Sequence, residues 1–100
     1  MKFYHATTLE NAEKISEEKV IRCGCDGMVY LCKDPIDACK FLFIRLIREA
    51  RVIEVDLDAK DVEESFDHSQ TFFMCKAYMH KGDIKLTGME KAETYTWGKS

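Results

Sequence analysis

Apolar residues along the chain follow two spacings, and these spacings predict where strands and helices lie. The run 2–6 is aromatic and apolar, which is typical of a short strand. After this run, the apolar residues Leu9, Ala12 and Ile15 recur every three positions. Because this spacing gives a helix one apolar face, we expect a helix from near Thr8 to near Glu18.

Capping residues mark the starts of two helices. Thr7 and Glu10 have the spacing of a capping box at the first helix. Asp34 precedes the single proline of the chain, Pro35, and this pair is typical of an N-cap followed by the first helical residue. The second helix is predicted to reach roughly Ile47. Its apolar residues occupy several faces, so either it is buried on several sides or part of the run is a strand.

Further segments have the alternating or apolar content of strands. They are the runs 20–22, 28–32, 51–58, 72–80 and 84–89. The polar and acidic run 60–71 predicts a helical turn that leads into an exposed loop. No repeat or linker divides the chain, so residues 1–100 are predicted to form one α+β domain.

Composition and charge narrow the possible partners. The chain has 100 residues, of which 46% are hydrophobic, so it can bury one modest core. Its net charge is −3, which disfavours broad, non-specific binding of nucleic acid. A solvated helix face or a small basic patch explains the local cluster of Lys40, Arg45, Arg48 and Arg51. No apolar run approaches the roughly 20 residues of a membrane span, and the start lacks a secretory signal, so we expect a cytoplasmic protein without a membrane partner.

The cysteines predict reduced thiols. There are five of them, and neither their odd number nor their spacing is typical of a disulfide framework. Cys23 and Cys25 could hold a metal ion, but a closed zinc site needs four ligands at complementary spacings. We therefore predict no metal site.

Two aromatic side chains are candidates for ligand binding. His5 closes the first predicted strand just before a helix N-terminus, where backbone N–H groups and the helix dipole favour anions. A hydrogen-bonded structural histidine would fit the same place. Tyr30 lies inside the run 28–32, where a tyrosine serves either as part of the core or as a platform for a ligand.

Four segments together resemble the ADP-ribosyltransferase superfamily, in the same order and over nearly the whole chain. They are YHATTLENAEKI, GMVYLCKDPIDACKFL, RVIEVDLD and KAYMHKGDI. That superfamily includes poly(ADP-ribose) polymerases, diphtheria-like toxins and tRNA 2′-phosphotransferases. His5-Ala6-Thr7 is similar to its His-Gly-Thr/Ser motif, and Tyr30 is similar to the tyrosine that precedes an Asp-Pro helix. The resemblance implies a split, mixed and mainly antiparallel sheet with two helices around an NAD-binding cleft.

The resemblance also implies roles for these residues. His5 would hydrogen-bond a ribose hydroxyl, and Tyr30 would stack on nicotinamide so that the dinucleotide is bent and its glycosidic bond exposed. Ala6, through its backbone, and Thr7 would add further contacts to the dinucleotide. NAD would be the substrate, and its ADP-ribose would pass to an unidentified protein or nucleic-acid acceptor or to water.

The third catalytic group of the family, a glutamate, has no direct match in this sequence. The family carries a glutamate at the start of a late strand, and Ala77 stands at that position here. The preceding loop offers substitutes, namely Glu64, Asp67, His68, Ser69 and Gln70. Of these, His68 and Gln70 are predicted as catalytic groups and Ser69 as a cofactor-binding group. The same loop residues could simply cap turns and face solvent.

Two other functions compete with ADP-ribosyl transfer. A non-catalytic module of the same fold would recognise a nucleotide, an ADP-ribosyl group or a protein partner, and the missing glutamate favours it. Removal of an RNA 2′-phosphate is disfavoured because the arginines cluster away from the motifs that carry the resemblance.

Overall fold

A computed structural model describes residues 1–43, 47–64 and 77–97 of the chain. The described residues form two helices, one 3-10 turn and eight strands. Their bounds are β1 Lys2–Thr7, α1 Leu9–Glu18, β2 Val20–Ile21, β3 Met28–Cys32, α2 Pro35–Phe43, β4 Glu49–Asp56, the 3-10 turn Ala59–Asp61, β5 Val62–Glu64, β6 Ala77–Lys81, β7 Ile84–Lys85 and β8 Ala92–Thr96.

Six of these strands form one sheet, in the order β5-β6-β3-β1-β4-β8, while β2 and β7 form a separate pair. Every pairing among the described strands is antiparallel. The α+β class and the mainly antiparallel sheet predicted from the sequence are therefore confirmed. β1 pairs with β4 along its whole length, from Lys2 opposite Asp56 to Thr7 opposite Arg51.

Each face of the central strands is covered by a different set of elements. One face carries the larger core cluster, to which α1, the β2–β7 pair and the sheet contribute Phe3, Ile15, Ile21, Val29, Leu31, Ile53, Val55 and Ile84. The other face packs against α2 through Cys39, Leu42, Ala50 and Val52. We call these the α1 face and the α2 face. Because β4 is covered on both faces, neighbouring residues such as Val52 and Ile53 are both buried.

The start of α1 differs from the predicted capping box. Thr8 is the N-cap, and its hydroxyl accepts a hydrogen bond from the backbone N–H of Asn11 at 3.2 Å. Thr7 is still part of β1, because it pairs with Arg51 in the neighbouring strand. The prediction of a Thr7 cap was wrong, but the predicted helix bounds are confirmed. Lys19 ends the helix in the left-handed conformation, with φ 57°.

The start of α2 is confirmed. The Oδ1 atom of Asp34 accepts a hydrogen bond from the backbone N–H of Ile36 at 2.8 Å, and Pro35 is the first helical residue. The helix is described as far as Phe43, and residues 44–46 lie outside the described residues. Ile47, the predicted end, is not helical, and its N–H donates to the Leu42 carbonyl at 3.1 Å.

The sequence missed two edge strands. β5 falls in the run predicted to be a turn and a loop, of which the 3-10 turn is confirmed. β8 is mostly exposed, so its sequence carries little apolar alternation. Both are strands because a partner fixes them: β5 pairs with β6, and β8 pairs with β4 from Ala92 to Thr96. Neither helix of the described residues has the length and apolar content that crossing a bilayer requires.

Replacing a fully buried side chain of β3 should cost far more stability than replacing an exposed one. Leu31 is 0% exposed, whereas Ile36 on α2 is 56% exposed. We expect Leu31→Ala to lower the free energy of unfolding by about 3 kcal/mol, because it removes buried contacts and leaves a cavity. Ile36→Ala should change it by less than about 0.5 kcal/mol. Urea unfolding of both variants measures the difference, and equal losses would contradict this core assignment.

Candidate functional site

The candidate site lies where β1 and β3 separate. The two strands pair only at Tyr4 and Cys32 among their described residues. A continued ladder would bring Ala6 opposite Tyr30, but that pairing is not formed. Instead, the Nδ1 atom of His5 lies 3.1 Å from the backbone carbonyl oxygen of Tyr30. We call this place the β1–β3 junction.

This contact fixes the tautomer of His5. A carbonyl oxygen can only accept a hydrogen bond, so Nδ1 of His5 carries the proton and donates it. Burial lowers the pKa of His5 below its ordinary value of 6.5 and outweighs the bond to the Tyr30 carbonyl, which acts in the opposite direction. The ring is therefore neutral at pH 7, with an unprotonated Nε2 that can accept a hydrogen bond.

The phenol of Tyr30 is held by an acidic residue of the preceding turn. Its hydroxyl donates to Oδ2 of Asp26 at 2.5 Å, while Oδ1 of Asp26 accepts from the backbone N–H of Met28 at 3.0 Å. The bond to Asp26 is the largest cause that raises the pKa of Tyr30 to about 12, with burial and the Asp26 charge adding to it. At pH 7 the phenol is therefore neutral, and Asp26 fixes both the tyrosine and the start of β3.

The two predicted ligand-binding rings start from opposite faces of the sheet. Tyr4 and Cys32 are paired and therefore share a face, which Tyr30 also occupies because side chains alternate along a strand. By the same alternation, His5 lies with Phe3 on the α1 face. The structure thus brings the His5 ring to the main chain of Tyr30 and not to its phenol. A ligand that contacts both rings must reach around the junction from one face to the other.

The remaining residues of the His5-Ala6-Thr7 motif are packed into the domain. Ala6 lies opposite Val52 and packs against the core of the α2 face. Thr7 is buried, and its hydroxyl accepts a hydrogen bond from Nδ2 of Asn11 at 2.7 Å. Since that bond uses only the acceptor capacity of Thr7, its own hydroxyl proton can still be donated.

Among the groups proposed to replace the glutamate, Asp67, His68, Ser69 and Gln70 lie outside the described residues. Glu64 is described: it pairs with Tyr78, which pairs with Leu31, so the Glu64 side chain lies on the α1 face and not on the face of Tyr30. Ala77, at the position of the family glutamate, opens β6 opposite Cys32 and is 0% exposed. Nothing larger than a small side chain fits there without repacking, so the carboxylate would have to come from elsewhere.

Glu63 is a described carboxylate on the same face as Tyr30. The register pairs Glu63 with Met79 and Met79 with Tyr30, which places the three residues in one row across β5, β6 and β3. Neighbouring strands lie about 4.8 Å apart, so the Cα atoms of Glu63 and Tyr30 are separated by about 10 Å. An exposed cavity of about 270 Å³ is lined by Met28, Glu63 and Met79, among other residues.

Sequence reasoning missed three residues that shape this site: Asn11, Asp26 and Glu63. Asp26 precedes Gly27, which has a φ of 80°, and an Asp-Gly pair before a strand is a recognisable turn signature. Asn11 could have been found from its three-residue spacing to the Thr8 cap. Glu63 gave no local signal, because its position depends on the pairing of β5 with β6.

The cysteines give no sign of a metal site in the part of the chain that is described. Cys23, Cys25, Cys32 and Cys39 are free thiols, and Cys75 lies outside the described residues. Among the described side chains, no group of three or more histidine, cysteine, aspartate or glutamate residues is placed to bind a metal ion.

Comparison of the chain with protein-family models, with curated proteins and with solved structures gave no match.

The tautomer of His5 can be tested by NMR. We expect long-range ¹H–¹⁵N spectra at pH 7 to show a neutral ring with the proton on Nδ1, titrating below 6.5. Because the unfolded chain binds this proton more readily, the free energy of unfolding should fall as the pH drops through 6.5. A glutamine at this position, in His5→Gln, keeps a donor for the carbonyl and should lose that part of the pH dependence. A proton on Nε2, or a pKa above 6.5, would contradict the assignment.

The effect of Asp26 on Tyr30 can be tested by tyrosine titration. Asp26→Asn keeps an oxygen acceptor but removes the charge, so the pKa of Tyr30 should move from about 12 towards 10. Ultraviolet absorbance of phenolate during a pH titration would measure the shift. Asp61→Asn, in the exposed 3-10 turn, is the matched control and should leave the titration unchanged. An unaltered pKa of Tyr30 in Asp26→Asn would contradict the hydrogen bond.

Proposed function

We propose that the chain binds NAD at the β1–β3 junction and either transfers its ADP-ribose to a macromolecular acceptor or hydrolyses it. The observation that carries this proposal is the neutral His5 ring, whose Nδ1 is fixed on the Tyr30 carbonyl so that Nε2 remains an acceptor. The order of the motifs supports it, because the histidine and tyrosine segments occupy adjacent strands of one sheet. An ADP-ribosyltransferase-like fold is part of the same proposal.

The chemistry of each group matches a different part of the dinucleotide. A ribose presents neighbouring hydroxyls, and one of them can donate to the Nε2 atom of His5. Tyr30 offers an aromatic face for nicotinamide, and its hydroxyl is already occupied by Asp26, which restricts how the ring can turn. Since the two side chains begin on opposite faces, the dinucleotide would bend around the junction, with its ribose near His5 and its base near Tyr30.

Bond cleavage then requires stabilisation of positive charge. When the bond between the ribose carbon and the nicotinamide nitrogen breaks, its electron pair leaves with nicotinamide and the ribose becomes oxocarbenium-like. Water or an acceptor nucleophile forms the new bond to that carbon and loses its proton to solvent. Gln70 or His68 would supply hydrogen bonds there, with Ser69 helping to hold the dinucleotide. Glu63 would supply the negative charge, from the face that carries Tyr30.

A non-catalytic binding module is the competing proposal. The buried Ala77 favours it, because the position from which the family supplies its carboxylate holds a methyl group inside the core. Such a module would use the same His5 acceptor and Tyr30 ring to hold a nucleotide, an ADP-ribosyl group or a protein partner without cleaving a bond. The two proposals differ in one measurable respect: the enzyme would release nicotinamide from NAD, and the binding module would not.

The experiment that tests both proposals follows NAD binding and nicotinamide release by the whole chain. We expect NAD to bind, and His5→Ala and Tyr30→Ala each to weaken binding by about tenfold, the effect of one lost hydrogen bond or stacking contact. Tyr30→Phe should retain most of the affinity because it keeps the ring. Tyr95→Ala is the matched control, since the Tyr95 hydroxyl also donates to a nearby carboxylate, that of Glu93 at 3.4 Å, but Tyr95 lies on the edge strand β8, outside the junction.

The outcomes separate the alternatives. Nicotinamide release that falls in His5→Ala, and in Gln70→Ala or Glu63→Gln, would support the enzyme. Binding without release would support the binding module. Absence of NAD binding, or binding that is equally weakened by Tyr95→Ala, would defeat the assignment of the β1–β3 junction.

A further inference from the structure

A second cavity lies on the α1 face, away from the β1–β3 junction. Its volume is about 290 Å³, and it is bounded by α1, by β4 and by the segment 86–92. Apolar side chains form much of its wall, namely Ala12, Ile15, Ile53, Leu86 and Ala92. Neither His5 nor Tyr30 lines this space. The cavity is therefore independent of the proposed NAD site.

Lys19 is held beside this cavity by the fold. Its backbone is the left-handed C-cap of α1, and its carbonyl accepts a hydrogen bond from the N–H of Leu86 at 2.8 Å. Its side chain lies against Gly88, where an added Cβ would come within 3.2 Å of the Lys19 Cε atom. Gly88 also has a φ of 95°, so a side chain there would be strained as well as crowded. The ammonium group is thus directed along the lining of the cavity.

Arg51 supplies a second positive charge to the lining. It lies on β4, and its Nη1 atom donates to the hydroxyl of Thr94 at 3.0 Å. Within the described part of the chain, no carboxylate lies within ion-pair distance of either Lys19 or Arg51. Both side chains therefore keep donors for an anion.

The one carboxylate of the lining is already engaged. Glu90 accepts hydrogen bonds from the backbone N–H groups of Thr87 and Gly88, at 2.9 and 3.0 Å, and from the Thr87 hydroxyl at 3.1 Å. These contacts fold the segment that borders the cavity and leave little acceptor capacity for a ligand. The formal charge of the three ionised lining groups is +1, which matches a single negative charge.

We propose that this cavity binds a small organic monoanion, with an apolar body inside and an acidic group on Lys19 and Arg51. Its size fits such a body, since an apolar cavity of about 150 Å³ holds benzene and this one is about twice as large. Charge-assisted hydrogen bonds from two cations then select the anion over a neutral molecule of the same shape. The proposal does not depend on NAD binding.

The test compares three probes that differ only in their polar end: 3-phenylpropionate, 3-phenylpropanol and 3-phenylpropylamine. Titration of each into the ¹⁵N-labelled chain, followed by NMR, reports both the affinity and the residues that respond. We expect 3-phenylpropionate to bind at least about tenfold more tightly than the alcohol, and the amine to bind least. The shifted resonances should belong to α1, β4 and the segment 86–92.

Three variants and one control variant locate the site. Arg51→Gln and Lys19→Gln should each weaken binding of 3-phenylpropionate by about tenfold, while Arg48→Gln, three residues before Arg51, should leave it unchanged. Ala92→Leu fills the cavity from an exposed position of β8 and should abolish binding while both cations remain. The proposal would be overturned if the folded chain did not bind 3-phenylpropionate, or bound it no more tightly than 3-phenylpropanol. Unchanged binding of 3-phenylpropionate in Ala92→Leu would also overturn it.

Discussion

Unequal pairing of the central strand β1 governs the architecture of this domain. Its six residues are all paired with β4, whereas only Tyr4 is paired with β3 among the described residues. The long ladder fixes the register, and a slip of one residue would exchange the side chains of the two faces. Phe3 therefore lies in the core of the α1 face, and Ala6 packs against that of the α2 face. Both helices pack where this ladder directs apolar side chains to them.

The short pairing with β3 leaves main-chain groups that need other partners. A backbone carbonyl away from water is stabilised only if it accepts a hydrogen bond, and the His5 ring serves the Tyr30 carbonyl in this way. His5 is consequently part of the fold as well as the proposed NAD site. The two interpretations that its sequence position allowed, a structural histidine and a ligand-binding one, are compatible because they use different ring nitrogens.

The β1–β4 ladder also relates the two proposed sites to each other. His5 is paired with Ile53, and Ile53 lines the cavity on the α1 face. Cross-strand partners have Cβ atoms about 5 Å apart, so a ligand in that cavity would touch the immediate neighbour of His5. The junction and the cavity thus have separate linings, and one pair of strands borders both.

Elements whose signals are local could be predicted from the order of residues alone. The apolar spacing after Thr8, the Asp34-Pro35 pair and the alternation within β4 depend on neighbouring residues, so helix starts and central strands could be predicted from them. The other features depend on how the segments pack and pair with one another. Thr7 is extended because β4 pairs with it, β8 is a strand because β4 presents an edge to it, and Asp26 reaches Tyr30 because the turn folds back. The register between β1 and β3 determines the faces on which His5 and Tyr30 lie, and these two residues are 25 positions apart. Pairing between segments so distant along the chain produces no local periodicity, so the faces could not be predicted from the sequence.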